Sequence, residues 1–98
     1  MITDEKKYYS SLKNDLLDFF RDNNETQVFI FGSSAKGDQF GDIDVGIMGD
    51  ITNKKARELK EFFEESNFPF FVDVVNFNEV DEAFKKNVLN NQIIWIKR

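Results

Sequence analysis

The chain has 98 residues, 41% hydrophobic and 15% aromatic with 12 phenylalanines, enough apolar material for one core. It is too short for a catalytic domain plus a separate substrate domain, so a single domain spanning residues 1–98 is expected. A formal net charge of −5 argues against direct nucleic acid binding through phosphates, which takes dense Lys and Arg. The absence of cysteine and histidine excludes disulfides, thiolate metal sites, His-containing triads and the usual zinc ligands, so any catalytic acid, base or metal ligand is expected to be a carboxylate.

From Thr3 to about Asp22, Tyr8, Leu12, Leu16, Phe19 and Phe20 recur at helical spacing between charged positions, which predicts an amphipathic first helix with Thr3 as its cap. Asn23 and Asn24 break that pattern. Gln27 to Phe31 is rich in β-branched and aromatic residues and reads as a strand that stops at Gly32. Residues 33–41 are small, polar and glycine-containing, so they read as a loop or one turn of helix. Ile43, Val45 and Ile47 then alternate with Asp42, Asp44 and Gly46, the period of a second strand whose acids share one face. A second helix is expected from Thr52 to about Ser66, with Ala56, Leu59, Phe62 and Phe63 inward. Pro69 precedes a third strand, Phe70 to Val75, interrupted by Asp73. Asn78 is expected to cap a third helix carrying Val80, Phe84 and Val88, ahead of the apolar end Ile93 to Ile96. The order implies an α+β or α/β sandwich, a small mixed β-sheet flanked by helices. With no signal-peptide core and no apolar run long enough to span a bilayer, a cytoplasmic protein without membrane contact is the expectation.

The acids raise the functional question. Residues two apart on a strand lie ~6.6 Å apart and point to the same side, so Asp42 and Asp44 converge. Uncompensated and partly buried, two such carboxylates cost on the order of several kcal/mol. A hard divalent cation such as Mg²⁺ would compensate them. Pairing with surface lysines is the alternative. Asp73, among apolar neighbours in the next strand, joins the same patch if the two strands are adjacent; otherwise it meets a lysine or a backbone donor at a sheet edge. Upstream, a strand ending in Gly32-Ser33 before small residues offers backbone N–H groups and a hydroxyl to an anion. The Gly32 to Gly37 spacing imitates half of a Walker A loop, but Asp38 and Gln39 stand where its Gly-Lys-Ser/Thr would continue, and that reading is rejected.

Taken together, Gly32-Ser33, Ala35, Gly37, then Asp42-Ile43-Asp44-Val45 and the later Asp73 resemble the pattern of the minimal nucleotidyltransferases of the polymerase β-like superfamily. That pattern is G-S-x-A-x-G, a variable loop, D-x-D with a following apolar residue, and a third acid on a later strand. Two departures stand out: eight residues separate Ser33 from Asp42, a shorter loop than in many relatives, and Gly41 stands where a serine often precedes the first aspartate.

The resemblance implies that Gly32 and Ser33 hold the β- and γ-phosphates of a nucleoside triphosphate, with ATP the expected donor. Asp42, Asp44 and Asp73 would bind Mg²⁺, two ions in the family's arrangement, and Asp73 would help deprotonate the acceptor hydroxyl. Lys36 would either neutralise phosphate charge or remain a solvated loop lysine. The resemblance further implies an antitoxin whose partner is a HEPN-domain toxin and which transfers AMP to a tyrosine of that partner. Two other readings stay open: a non-catalytic antitoxin acting by complex formation, and a nucleotidyltransferase for small molecules. Phe68, Phe70, Phe71, Phe77 and Trp95 exceed what so small a sheet obviously buries; most are expected in the core, some on a partner or homo-oligomer surface. Tyr8 and Tyr9 carry the hydroxyls a self-modification would need.

Overall fold

Apolar stripes at helical spacing and runs of β-forming residues build a sheet with helices on both faces in the computed structural model, which describes residues 2–32, 35 and 42–98, with residues 2–7 as backbone. Helix α1 (Ile2–Phe19) is followed by strands β1 (Thr26–Phe31) and β2 (Asp42–Gly49), helix α2 (Asn53–Glu65), strand β3 (Phe71–Asn76), helix α3 (Glu82–Leu89) and strand β4 (Ile94–Lys97). Helix α1 already includes Ile2, so Thr3 lies inside the helix and is not its cap, a position that requires non-helical backbone. Its other end tightens earlier than the apolar spacing implied. The Phe20 N–H still donates to the Leu16 carbonyl, but Arg21 N–H reaches back only three residues to Asp18, closing the helix before Asp22.

The sheet runs β3-β2-β1-β4. Strands β1 and β2 pair antiparallel from Thr26 opposite Gly49 to Phe31 opposite Asp44. Strands β2 and β3 pair parallel, and α2 supplies the crossover that a parallel pair needs. The short β4 pairs antiparallel with the other side of β1. From the sequence it reads only as an apolar end, because four residues carry too little alternation to announce a strand; the edge of β1 gives them their pairing.

Strand alternation divides the core in two. Val28, Ile30, Ile43, Val45, Ile47 and Val72 pack on one face against Leu12, Leu16 and Phe20 of the α1 region and Leu59 and Phe63 of α2. On the opposite face Phe29, Phe31 and Phe77 form an aromatic cluster, with Val88 and Leu89 of α3 and Trp95 against it. Gly46 makes room for this cluster: a Cβ there would collide with the Phe29 and Phe77 rings. Buried Thr26 donates its hydroxyl to the Asp50 carbonyl at 2.6 Å, tying the start of β1 to the end of β2.

Thr52 caps α2, its side chain accepting from Lys55 N–H at 3.1 Å. Leu59 and Phe63 are buried as expected, but Phe62 is 40% exposed and touches Phe63 and Phe19 at the rim. Adjacent helix positions lie ~100° apart, which here carries Phe62 to the edge of the stripe that buries Leu59 and Phe63. The cap of α3 also differs from expectation. Asp81 accepts from Ala83 and Phe84 N–H, whereas Asn78 donates its side-chain amide to the Gly49 carbonyl at 2.7 Å and bridges from β3 back to β2. Of the surplus aromatics, Phe77 is buried, Phe68, Phe70 and Trp95 are half-buried and Phe71 is 54% exposed.

Candidate functional site

The candidate residues Gly32, Asp42, Asp44 and Asp73 gather at the end of the sheet where β1 finishes and β2 and β3 begin. Because Ile43, Val45 and Ile47 turn into the α1/α2 face, Asp42 and Asp44 point to the other face, on the side of the aromatic cluster. Asp44 is in register with Asp73 of β3 on one side and with Phe31 of β1 on the other. Parallel neighbours in register point the same way, so the acids of β2 and β3 lie side by side, with strands ~4.8 Å apart. The adjacency on which the role of Asp73 depended is therefore present. Further along the same face, the positions of Asp44 and Asp73 are replaced by Gly46 and Val75, and the surface passes from acidic to aromatic.

Gly32 completes this corner. It has φ +72°, and a Cβ built on it would stand 2.5 Å from Asp44 Oδ2. Only a residue without a side chain lets the backbone turn in this way while lying against that carboxylate. Ala35 is buried and packs into the core on the α1/α2 side. The expectations for Ser33 and Lys36 lie outside the described residues.

The electrostatics are those of crowded like charges. Half-buried Asp44 has its carboxyl pKa raised, first by loss of water, then by Asp73 and then by Asp42. Among the described residues no three acidic side chains are drawn together tightly enough to enclose a metal ion by themselves. The acids form an open row with Asp42 exposed and Asp44 and Asp73 half-buried. Such a row fits Mg²⁺, which takes one or two carboxylates and fills its other positions with water and substrate phosphates.

Beside Gly32 a cleft of about 340 Å³ opens between Phe31 and the last turns of α3. Sequence patterning did not anticipate it; the amides Asn87, Asn91 and Gln92 that line it are its trace in the sequence.

Sequence comparison decides the family: the description Polymerase beta, Nucleotidyltransferase matches residues 14–98, a span that holds Gly32 and all three acids. The chain belongs to the polymerase beta nucleotidyltransferase family. No curated protein matches it. Among solved structures, a chain of a toxin–antitoxin crystallised with AMP-PNP is 23% identical over 86% of this chain and 71% of its own, with a TM-score of 0.67. A chain from a mutant of the toxin–antitoxin MntA-HpeT in which two aspartates are replaced by glutamate is 19% identical over 86% of this chain and 70% of its own, TM-score 0.66. Another MntA-HpeT mutant, with a tyrosine replaced by alanine, is 24% identical over 85% and 69%, TM-score 0.66. These likenesses are of fold.

Proposed function

We propose that this chain is a Mg²⁺-dependent nucleotidyltransferase that moves AMP from ATP to a hydroxyl of a partner protein, and that the partner is a HEPN-type toxin it thereby neutralises. The observation that carries the reading is the register of Asp44 against Asp73 with Gly32 pressed onto the Asp44 carboxylate. It brings an acidic row and a glycine turn to one corner, which supports a triphosphate site there. Membership of the nucleotidyltransferase family and the likeness to toxin–antitoxin structures, one of them with AMP-PNP, support it.

In this proposal Asp42, Asp44 and Asp73 hold the metal. When bound there, Mg²⁺ neutralises the triphosphate and polarises its oxygens. Gly32, with Ser33 after it, receives the β- and γ-phosphates, and Lys36 adds positive charge beside them. Asp73 takes the proton of the acceptor hydroxyl. That oxygen bonds to the α-phosphorus, the bond from the α-phosphorus to the bridging oxygen breaks, and pyrophosphate leaves. The described residues line open clefts of 150–340 Å³, and in this proposal the partner supplies the acceptor's surroundings.

The test is intact-mass spectrometry of this chain and its co-expressed partner after incubation with Mg²⁺ and each nucleoside triphosphate. The expected result is a gain of one AMP on the partner, absent when Asp42→Asn and Asp44→Asn are combined. Neutralisation that persists in the double variant, with no mass gained by either chain, would establish a binding module acting by complex formation. A gain on a small acceptor without any partner would move the activity to small molecules.

A further inference from the structure

We infer that Phe71 seats the acceptor beside the acidic row, by packing against an apolar side chain that the partner carries at its reacting hydroxyl. The inference rests on the transferase reading above and adds the residue through which the second substrate is held. Phe71 is the most exposed large apolar side chain among the described residues, at 54%. The exposed rings of Phe62 and Phe84 lie against Phe63 and Phe77, whereas Phe71 makes no ring contact among the described residues.

Its place in the sheet says what it faces. Phe71 is in register with Asp42, as Asp73 is with Asp44. Val72 is buried in the α1/α2 core and Val75 packs on the aromatic cluster, so strand alternation puts Phe71 on the face that carries Asp73 and the other acids. It stands one strand, ~4.8 Å, from Asp42 and two residues, ~6.6 Å, from Asp73. The sheet order sets β3 at one flank of β2 and β1 at the other, with Gly32 at the β1 flank against Asp44. In the transferase reading the β- and γ-phosphates therefore take the Gly32 side of the row. An acceptor whose hydroxyl must reach Asp73 comes in over β3, where Phe71 lies.

The chemistry of the row makes an apolar contact useful there. Three carboxylates and a triphosphate offer no favourable charge to a neutral hydroxyl, whereas an exposed ring supplies affinity through the area it removes from water. Its spacing of ~6.6 Å from Asp73 is within the reach of one side chain. What covers Phe71 is thus the acceptor residue itself or its immediate neighbour, and not a remote part of the partner.

The experiment measures transfer to the co-expressed partner, and binding of that partner by calorimetry, for the parent chain, Phe71→Ala, Phe71→Trp and Phe62→Ala. Mg²⁺ with inorganic tripolyphosphate probes the phosphate side. Phe71→Ala is expected to raise the KM and the Kd for the partner about five- to tenfold, the loss of about half an aromatic side chain's burial, while tripolyphosphate affinity and melting temperature stay at the parent values. Phe71→Trp is expected to restore partner affinity. Phe62→Ala, which removes a comparably exposed ring from the other face, is expected to leave it unchanged. Partner KM and Kd unmoved by Phe71→Ala, or raised as much by Phe62→Ala, overturn the inference. Loss of tripolyphosphate binding in Phe71→Ala also overturns it, by placing the ring on the nucleotide side. A parent chain that transfers nothing, but loses partner affinity with Phe71→Ala, keeps the contact and ends the transferase reading; transfer indifferent to Phe71 does the reverse.

Discussion

Asp44 shows how one residue can set stability against chemistry. A carboxyl in an unfolded chain ionises near pH 3.9; in the fold this one is held higher by burial and by Asp73 and Asp42. At neutral pH the native state therefore carries a charge that the unfolded chain accommodates better. The penalty is full above the folded pKa and disappears below the unfolded one. Asp44→Asn should accordingly raise the melting temperature at pH 7, with the gain fading as pH is lowered through the carboxyl range and gone below ~pH 3. Thermal melts of both chains across pH test this, and a variant that melts lower at pH 7 would refute the crowding. The same variant is expected to lose transfer, the exchange of activity for stability usual at such sites. Gly32→Ala should fail in both respects. Its positive φ and the clash with Asp44 should cost about 1–3 kcal/mol in denaturant titration, and displacing the carboxylate should slow transfer about 10²-fold or more.

At the scale of the elements, caps and stripes decide which residues carry stability. Leu59 is fully buried in α2 while Phe62 lies at its rim. Leu59→Ala should cost about 2–5 kcal/mol, and Phe62→Ala under about 1 kcal/mol, although the removed side chain is larger. Equal costs in urea titration would mean that Phe62 is a core residue after all. Asp81→Ala removes the cap of α3 and should cost about 1 kcal/mol. The helix spacing was legible in the sequence, but the choice between Asn78 and Asp81 was not. Both are capping residue types, and only the position of Gly49 on β2 draws the Asn78 amide away from the helix. The strand at Ile94–Lys97 was hidden for a similar reason: its ladder belongs to β1, more than sixty residues earlier.

Across the whole molecule, the two faces of the sheet do different work. One is sealed by α1 and α2 and supplies most of the core; the other is covered by α3 and aromatic rings around Gly46 and carries the acids at its end. The open corner is where a cation should act on the fold as a whole. A ligand that binds only the native state stabilises it by about 2.7 kcal/mol at a hundred times its dissociation constant. Mg²⁺ should therefore raise the melting temperature of the parent chain at constant ionic strength and leave the combined Asp42→Asn and Asp44→Asn variant unmoved. Calorimetry with Mg²⁺ against matched NaCl reads the difference, and equal shifts in both chains would place the cation elsewhere.

The sequence alone singled out carboxylates as the candidate acids, bases and metal ligands, since it lacks histidine and cysteine, and placed Asp42 and Asp44 on one strand face, because alternation is a local property of the backbone. It also marked the turn at Gly32 and the strand around Asp73. Only the tertiary structure decided that Asp73 stands in register beside Asp44 and that Gly32 lies against that carboxylate. These are contacts between elements, and pairing order, register and layer packing are set by how the whole chain buries its apolar faces, which no short window of residues contains.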